Sequence, residues 1–521
     1  MAATPIVDSL LTFKCAIYIC ASFLEKGPVA EWLGSALQKL LLRFESARDL
    51  KLFGSKKTGS RQYRLPFLFS GRWLWCSTFR ANPFPTIMSS RRNFLQQTAT
   101  LAGALSLQPI ISAASQARCD ELRSYAHSKT ASELETDEDF WMHLRDQFTV
   151  SPNIINLNNG GVSPQPRVVQ EAHIRNYQLC NEGPSYWMWR ILDQGREPLR
   201  QKIASLAGCD AEEIAINRNS TEGLNTVIFG LNLKAGDEVI LNKYDYPNMM
   251  NAWRQREKRE GIKLVWIDLE LPIESEEYAV KQFRDALTER TRVVHITHII
   301  NWTGQLLPAR KIADLAHSKG CEVIVDGAHS FAHVQDTIPE TGADYYATSL
   351  HKWLCAPFGS GLLYIKKEKI SGVWALLSND KPDGDNIRKF ETLGTRSFAS
   401  EMAIGQAADF HQMIGSERKE TRLRYLKNYW TKKVLDVPGI QFYTSLKDEW
   451  SCAIANFGLE GWKGTQVDAK LMELFKIHAV GIEWEKVNGV RITPSVYTSL
   501  YELDKLAEGI TAIAKLAKPF N

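Results

Sequence analysis

The sequence predicts an α/β fold: a mainly parallel sheet covered by helices on both faces, followed by a smaller α+β domain. Three observations predict it. From about Ile154 onward, short β-branched runs alternate with amphipathic helical stretches, the pattern of strands joined by helical crossovers. After about Phe410 the pattern changes to a charged helix, short strands and a closing helix. The chain has 521 residues, 44% hydrophobic and 23% charged. That is room for about two to four domains and a core that needs neither disulfides nor metals. No run of about 18 apolar residues occurs, which excludes a multispanning membrane protein.

Taken in order, residues 1–87 carry 12 Lys/Arg against 5 Asp/Glu, leaving 51 and 54 in residues 88–521. The formal +4 of the chain therefore sits upstream, and the remainder is slightly acidic, which argues against nucleic acid as a partner. Residues 1–87 show no steady apolar period. The runs Leu37–Leu42 and Phe67–Trp75 are broken by basic or polar residues and, in the second, by Gly71. A basic arm that touches membrane or RNA is one reading. The reading preferred is an upstream segment outside the working protein, because of what begins at Met88.

Met88-Ser-Ser-Arg-Arg-Asn-Phe-Leu-Gln96 resembles the twin-arginine export motif, with Gln96 in place of the customary Lys. No charge follows from Asn93 to Ala117, Ala99–Leu107 is weakly apolar, and Ser112-Ala113-Ala114 offers a small-x-small cleavage site. These are the parts of a removable signal at 88–117. The alternative is an amphipathic surface helix. The signal implies export of a folded protein by the twin-arginine translocase, hence a periplasmic location. Cys119 is preceded by Arg118, which argues against a lipid anchor. Six of the nine cysteines follow the signal, without a CxxC pair or a framework spacing, so neither a metal cluster nor a disulfide scaffold is expected.

Residues 118–405 form the expected large domain and 406–521 the small one. Strands are expected at Glu213–Ile216, Glu238–Leu241, Val293–Ile300, Cys321–Val325, Tyr345–Ser349 and Gly361–Ile365, with a helix at Pro308–Lys319. The small domain contributes helices at Ser416–Lys433 and Leu503–Lys518.

Chemistry in such sheets gathers at the carboxyl ends of strands. There Val323-Ile-Val-Asp326-Gly-Ala-His329 places a carboxylate just past a strand, and Ser349-Leu-His351-Lys352-Trp353 sets a lysine beside a hydroxyl and an imidazole. Asn217-Arg-Asn-Ser220-Thr221-Glu-Gly223 leads into a helix whose N-terminus can hold phosphate. A buried Lys can bind an aldehyde and a buried Asp can pair with a pyridinium nitrogen. Singly these signals are weak. An Asp after a strand is often a turn or cap, and Ser-Thr pairs commonly cap helices. Their order and spacing together make a pyridoxal-phosphate site.

On these motifs, roughly residues 150–515 resemble the class V aminotransferase family, the branch containing isopenicillin N epimerases and cysteine desulfurases. The resemblance implies fold type I of the pyridoxal-phosphate-dependent transferases, with a seven-stranded type of sheet. It implies Lys352 as the Schiff-base lysine and Asp326 as the carboxylate holding the pyridine nitrogen protonated. His329 and Asn301 fall near the cofactor's phenolic oxygen, and Tyr246 stands where the family stacks a ring on the pyridine. Ser220, Thr221, Ser349 and His351 match phosphate ligands. Thr395 matches the position that reaches the phosphate of a partner subunit, which implies a homodimer. Arg491 matches the arginine that clamps the substrate carboxylate, a task suited to its two-pronged donors.

An enzyme acting at Cα of an amino acid, or of one borne on a small peptide, follows as the expectation, most like an isopenicillin N epimerase. An aminotransferase or a carbon–sulfur lyase is the alternative within enzymes, and a pyridoxal-phosphate-binding regulator the alternative outside them. Desulfurases carry a mobile cysteine just before the C-terminal arginine motif. Residues 476–490 here contain no Cys, so persulfide chemistry is not expected. No metal site is expected either. His295 and His298, three apart on a strand, point to opposite faces, although His329 and His333 with Asp326 imitate a ligand set. The cluster Tyr186-Trp-Met-Trp189-Arg190 could line a pocket, but its spacing is read as plain core.

Overall fold

Buried strands come from continuous runs of aliphatic residues, and here they end at polar residues that carry chemistry. In a computed structural model describing residues 65–69, 72–76, 107–377 and 379–518, the chain divides into two units, Met1–Leu101 and Ala102–Asn521. In the first unit, Leu65–Phe69 and Arg72–Cys76 pair as an antiparallel hairpin. The expected export motif Met88–Gln96 lies outside the described residues. In the second unit the described chain begins with helix α1 (Leu107–His127), which runs through the expected cleavage site at 112–114.

The second unit is built on a seven-stranded sheet. Its strands are β1 (Ile214–Asn217), β2 (Glu238–Asn242), β3 (Lys263–Ile267), β4 (Thr291–Thr297), β5 (Glu322–Asp326), β6 (Tyr345–Ser349) and β7 (Gly361–Ile365). The spatial order is β1-β7-β6-β5-β4-β2-β3. Only β7 runs against its neighbours. Both faces of the sheet are covered, so the alternation of side chains appears as two cores. Ile214, Ile216, Ile240, Val323 and Val325 pack on one face. Ala215, Val239, Leu241 and Ile324 pack on the other. Helices α2 (Arg167–Glu182) and α3 (Arg196–Ala207) contribute to the first core. Helices α4 (Ser220–Gly230) and α5 (Pro247–Glu260) contribute to the second.

Helix α6 (Phe398–Ile414) crosses the expected domain boundary at 405/406, and Gly415 separates it from α7 (Ser416–Val434). A four-stranded antiparallel sheet follows, made of β8 (Ile440–Phe442), β9 (Ala455–Leu459), β10 (Val480–Trp484) and β11 (Val487–Ile492) in the order β8-β9-β11-β10. Helices α8 (Gly464–Phe475) and α9 (Leu500–Ala514) pack with α7 in its core. The N-terminal segment joins this layer. Ile155–Asn156 pairs in parallel with Ile477–His478, and Arg145 donates twice to the Glu502 carboxylate, at 2.6 and 2.8 Å.

The aromatic cluster, expected as plain core, lies at the surface. Tyr186 and Trp189 are 58% and 41% exposed, in a short helical turn that follows Gly183-Pro184. Gly183, in an extended conformation, breaks the helix before it, but on the other side the turn runs through Leu192–Gly195 directly into α3, so the cluster is the exposed start of a longer helical stretch. The cysteines from Cys119 to Cys452 are free thiols. Among the described residues no helix is long and apolar enough to cross a membrane.

Candidate active site

Three neighbouring strands end on polar residues at one edge of the sheet: β4 at Thr297, β5 at Asp326 and β6 at Ser349. They open into a cavity of about 350 Å³. Ser220, Thr221, Tyr246, Asn301, Asp326, His329, Ser349, His351, Lys352 and Arg491 all line it. Thr395 does not. It is exposed, in the segment between Gly394 and α6.

Asp326 and Lys352 form the charged centre. Asp326 is buried, accepts the Ala328 N–H at 2.9 Å, and has its pKa raised by burial. Burial lowers Lys352 to about 8, with Asp326 opposing the shift and the Arg491 charge adding to it. The Lys352 amine lies 3.1 Å from His329 Nε2. Behind this layer, Asp245 accepts from the Thr297 hydroxyl at 2.5 Å and is pushed up to about 7, chiefly by burial.

At the other end of the cavity, Asn219 caps α4 by accepting the Glu222 N–H at 2.9 Å. Ser220 and Ser349 meet there, their hydroxyls 3.1 Å apart, and the Ser220 N–H donates to the Ser349 hydroxyl at 3.0 Å. His351 donates through Nδ1 to the Ser360 carbonyl at 3.0 Å. Its Nε2 therefore carries a hydrogen only in the imidazolium form. A dianion at this helix N-terminus favours that form.

Arg491 comes from β11 of the smaller sheet. Its guanidinium donates to the Asn301 carbonyl at 3.1 Å and to Asn158 Oδ1 at 2.9 Å. Its Nε and the Asn301 Oδ1 are buried without a partner. Among the described residues no carboxylate pairs with Arg491, and burial lowers its pKa to about 10. A buried, uncompensated cation on a cavity wall is an anion site. Tyr246, 40% exposed, lies at the N-terminus of α5. Trp302 stacks on Trp484 at 5.3 Å, and Val480 and Ile482 supply apolar wall.

Several participants carry no motif of their own. Asn158 and Gly160–Gly161 belong to an Asn-Asn-Gly-Gly turn visible in the sequence but not interpreted from it. A side chain at Gly160 would stand 2.9 Å from Thr493 Cγ2 and 3.5 Å from His329 Cε1. Thr297, Asp245 and Trp353 were also missed, and only the adjacency of Trp353 to Lys352 signals it. His295 and His298 are both buried, the first against Trp253 and the second 3.5 Å from Asp336.

The donor set fits pyridoxal phosphate. A buried carboxylate suits a protonated pyridine nitrogen, a depressed lysine suits an aldehyde, and a capped helix N-terminus with two serines suits phosphate. Asn301 Oδ1 and Arg491 Nε, on two residues that line the cavity, are buried with their bonding capacity unused.

The profile of the family described as Aminotransferase class-V matches residues 155–481. Isopenicillin N epimerase of Streptomyces clavuligerus is 27% identical over 391 residues, 72% of this chain and 98% of that protein. A probable cysteine desulfurase of Synechocystis is 29% identical over 333 residues, 60% of this chain and 78% of that protein. Among solved structures, an apo cysteine desulfurase from Thermococcus onnurineus NA1 has a TM-score of 0.64 at 22% identity, covering 71% of this chain and 97% of that one. A C-DES mutant with glycine covalently linked to its PLP cofactor also reaches 0.64 at 22% identity, over 72% and 99%. Profile, fold and donor set agree that the chain belongs to the class-V aminotransferase family, pyridoxal-phosphate-dependent enzymes of fold type I.

Proposed function

We propose that the protein acts at Cα of an α-amino acid, free or borne on a small peptide, as an isopenicillin N epimerase-type enzyme. The observation that carries this reading is the cavity that brings together a depressed Lys352 amine, the buried Asp326 carboxylate and an Arg491 guanidinium that no described carboxylate neutralises. Bound pyridoxal phosphate supplies an electron sink for the pair left when a bond to Cα breaks.

The chain's residues do the rest. Arg491 fixes the substrate by its α-carboxylate through a two-pronged hydrogen bond. Lys352, lowered by burial to about 8 so that a large share is neutral near that pH, takes the Cα proton as general base. Asp326 holds a proton on the pyridine nitrogen by its negative charge, and burial strengthens that pairing. Asn301 and His329 address the phenolic oxygen, Tyr246 covers the ring, and Ser220, Thr221, Ser349 and His351 hold the phosphate. Two features count against desulfuration through a persulfide. The β10–β11 connection is a two-residue turn at Glu485-Lys486, and none of the free cysteines lines the cavity.

Thr395, exposed and outside the cavity, fits a role at the partner's phosphate in a homodimer. Export of the folded holoprotein by the twin-arginine route, to the periplasm, is proposed from the motif at Met88 and the charge-free stretch after it.

The deciding experiment incubates the pyridoxal-phosphate-loaded protein with candidate amino acids in deuterated water. Cα exchange with inversion is expected. Keto-acid release reassigns the protein as an aminotransferase, and β-elimination as a lyase. Lys352→Ala should lose the visible absorption of lysine-bound pyridoxal phosphate. No such absorption in the wild type would sink the enzyme reading.

A further inference from the structure

Hydrogen-bond direction around Lys352 is decided one residue further along the chain. The Trp353 indole N–H lies 3.3 Å from His329 Nδ1, and an indole N–H can only donate. Nδ1 therefore presents its lone pair. In neutral imidazole the hydrogen then sits on Nε2, the atom 3.1 Å from the Lys352 amine. Burial, with the charges of Lys352 and Arg491, keeps His329 well below the ordinary histidine range, so the neutral ring is the relevant one. An Nε2–H donates only to a lone pair, and an ammonium has none.

The surroundings hold this arrangement in place. His333 accepts the Ala453 N–H on Nε2 at 3.0 Å, so its own hydrogen is on Nδ1 and donates to the His329 carbonyl at 2.7 Å. The His333 ring stacks on Trp353, with centroids 3.7 Å apart and 11° between planes. The buried Lys419 amine donates to the Trp353 carbonyl.

We propose that Trp353 is a positioning residue that fixes the Nε2–H tautomer of His329, so that His329 offers Lys352 a donor and holds its amine as the free base. This rests on the reading of Lys352 as the cofactor lysine, although the tautomer itself does not. A free amine is what condensation with an aldehyde requires. The nitrogen forms the new bond to carbon, and the aldehyde oxygen leaves as water with both amine hydrogens. The other groups facing Lys352 are Asp326 from β5, which favours the ammonium, Arg491 from β11, which opposes it, Tyr246 from the start of α5, and His351. None of them touches the Trp353 indole nitrogen among the described contacts.

The test uses the full chain. Nitrogen-15 NMR of histidine-labelled protein without cofactor reads the His329 tautomer, its signal assigned by loss in His329→Gln. The wild type should show Nε2–H alone. Trp353→Phe keeps the ring on His333 and removes the donor, so it should show a mixed or reversed tautomer. The pH dependence of pyridoxal phosphate capture, followed by visible absorption, reads the lysine. Its midpoint should rise by about one pH unit in Trp353→Phe, with no further shift when the change is made in His329→Gln. Hydrogen on Nδ1 in the wild type overturns the proposal, and that measurement decides it even if Trp353→Phe does not fold. So does an unchanged midpoint in a Trp353→Phe protein that melts at the wild-type temperature. Failure of the wild type to capture pyridoxal phosphate at any pH overturns the functional reading instead, and leaves the tautomer result standing.

Discussion

Arg491 is a buried cation that no carboxylate among the described residues pairs with, and two consequences can be separated by substitution. Its guanidinium should bind the substrate carboxylate, a charge-assisted pair of bonds worth about 2–3 kcal/mol. Its charge also lowers Lys352, because two buried like charges disfavour each other. Arg491→Leu should therefore weaken amino-acid binding about 30–150-fold and move the pH midpoint of pyridoxal phosphate capture upward from near 8. The sign follows from the base. Removing a neighbouring positive charge stabilises the ammonium, so a higher pH is needed to free the amine. Arg491→Lys keeps a charge but not the fork, and should lose affinity while leaving the midpoint in place. Spectral titration with and without substrate checks both. At this scale the sequence was informative where chemistry is local. Asp326, His329, Ser349 and Lys352 lie on strand ends or one turn beyond. It was silent where partners are distant, as for Asn158, which meets Arg491 across 333 positions, and Asp245, which meets Thr297 across 52.

Elements were legible when burial left a continuous mark. Strands β5 and β7 are covered on both faces and show as unbroken apolar runs between clear turn signals, whereas β3, at the sheet edge with Lys263 exposed, carries the run Leu264–Ile267 directly after the charged end of α5 and is not among the expected strands. The aromatic turn at 186–190 was misjudged for the opposite reason, since local aromatic density does not say what tertiary structure covers it. Where strand and turn meet, packing is unforgiving. A Cβ on Gly327 would lie 1.8 Å from Tyr346 Cζ and 2.1 Å from its hydroxyl oxygen. Tyr346 is 2% exposed on the adjacent strand, its hydroxyl 3.0 Å from that of Ser330, so it has nowhere to retreat. Gly327→Ala should cost about 3 kcal/mol or more, read as a lower denaturant midpoint. Any folded protein that remains should bind pyridoxal phosphate more weakly, because the strain falls on the peptide next to Asp326. Gly372, whose added Cβ meets nothing within 4 Å, is the matched control, with a change within about 0.5 kcal/mol.

For the whole molecule, the distribution of charge matters more than its total. Residues 1–87 hold the basic excess and the rest of the chain is slightly acidic. Among the described residues, every side chain lining the candidate site lies within the unit from Ala102 to Asn521. A chain beginning at Met88 therefore keeps all of these described lining residues and places the Arg91-Arg92 pair near a free N-terminus, where an export signal is read. Expressed in a bacterium with a twin-arginine system, such a chain should accumulate in the periplasm, already showing the visible absorption of bound pyridoxal phosphate and sedimenting as a dimer. By the proposed route loading precedes export, since that route carries folded proteins. Arg91→Lys/Arg92→Lys conserves charge and leaves the cavity untouched. It should hold the protein in the cytoplasm with undiminished absorption, which separates a failure of export from a failure of folding. Equal distribution of the two forms between compartments would remove residues 88–117 as a signal, while leaving the chemistry of Lys352, Asp326 and Arg491 where it stands.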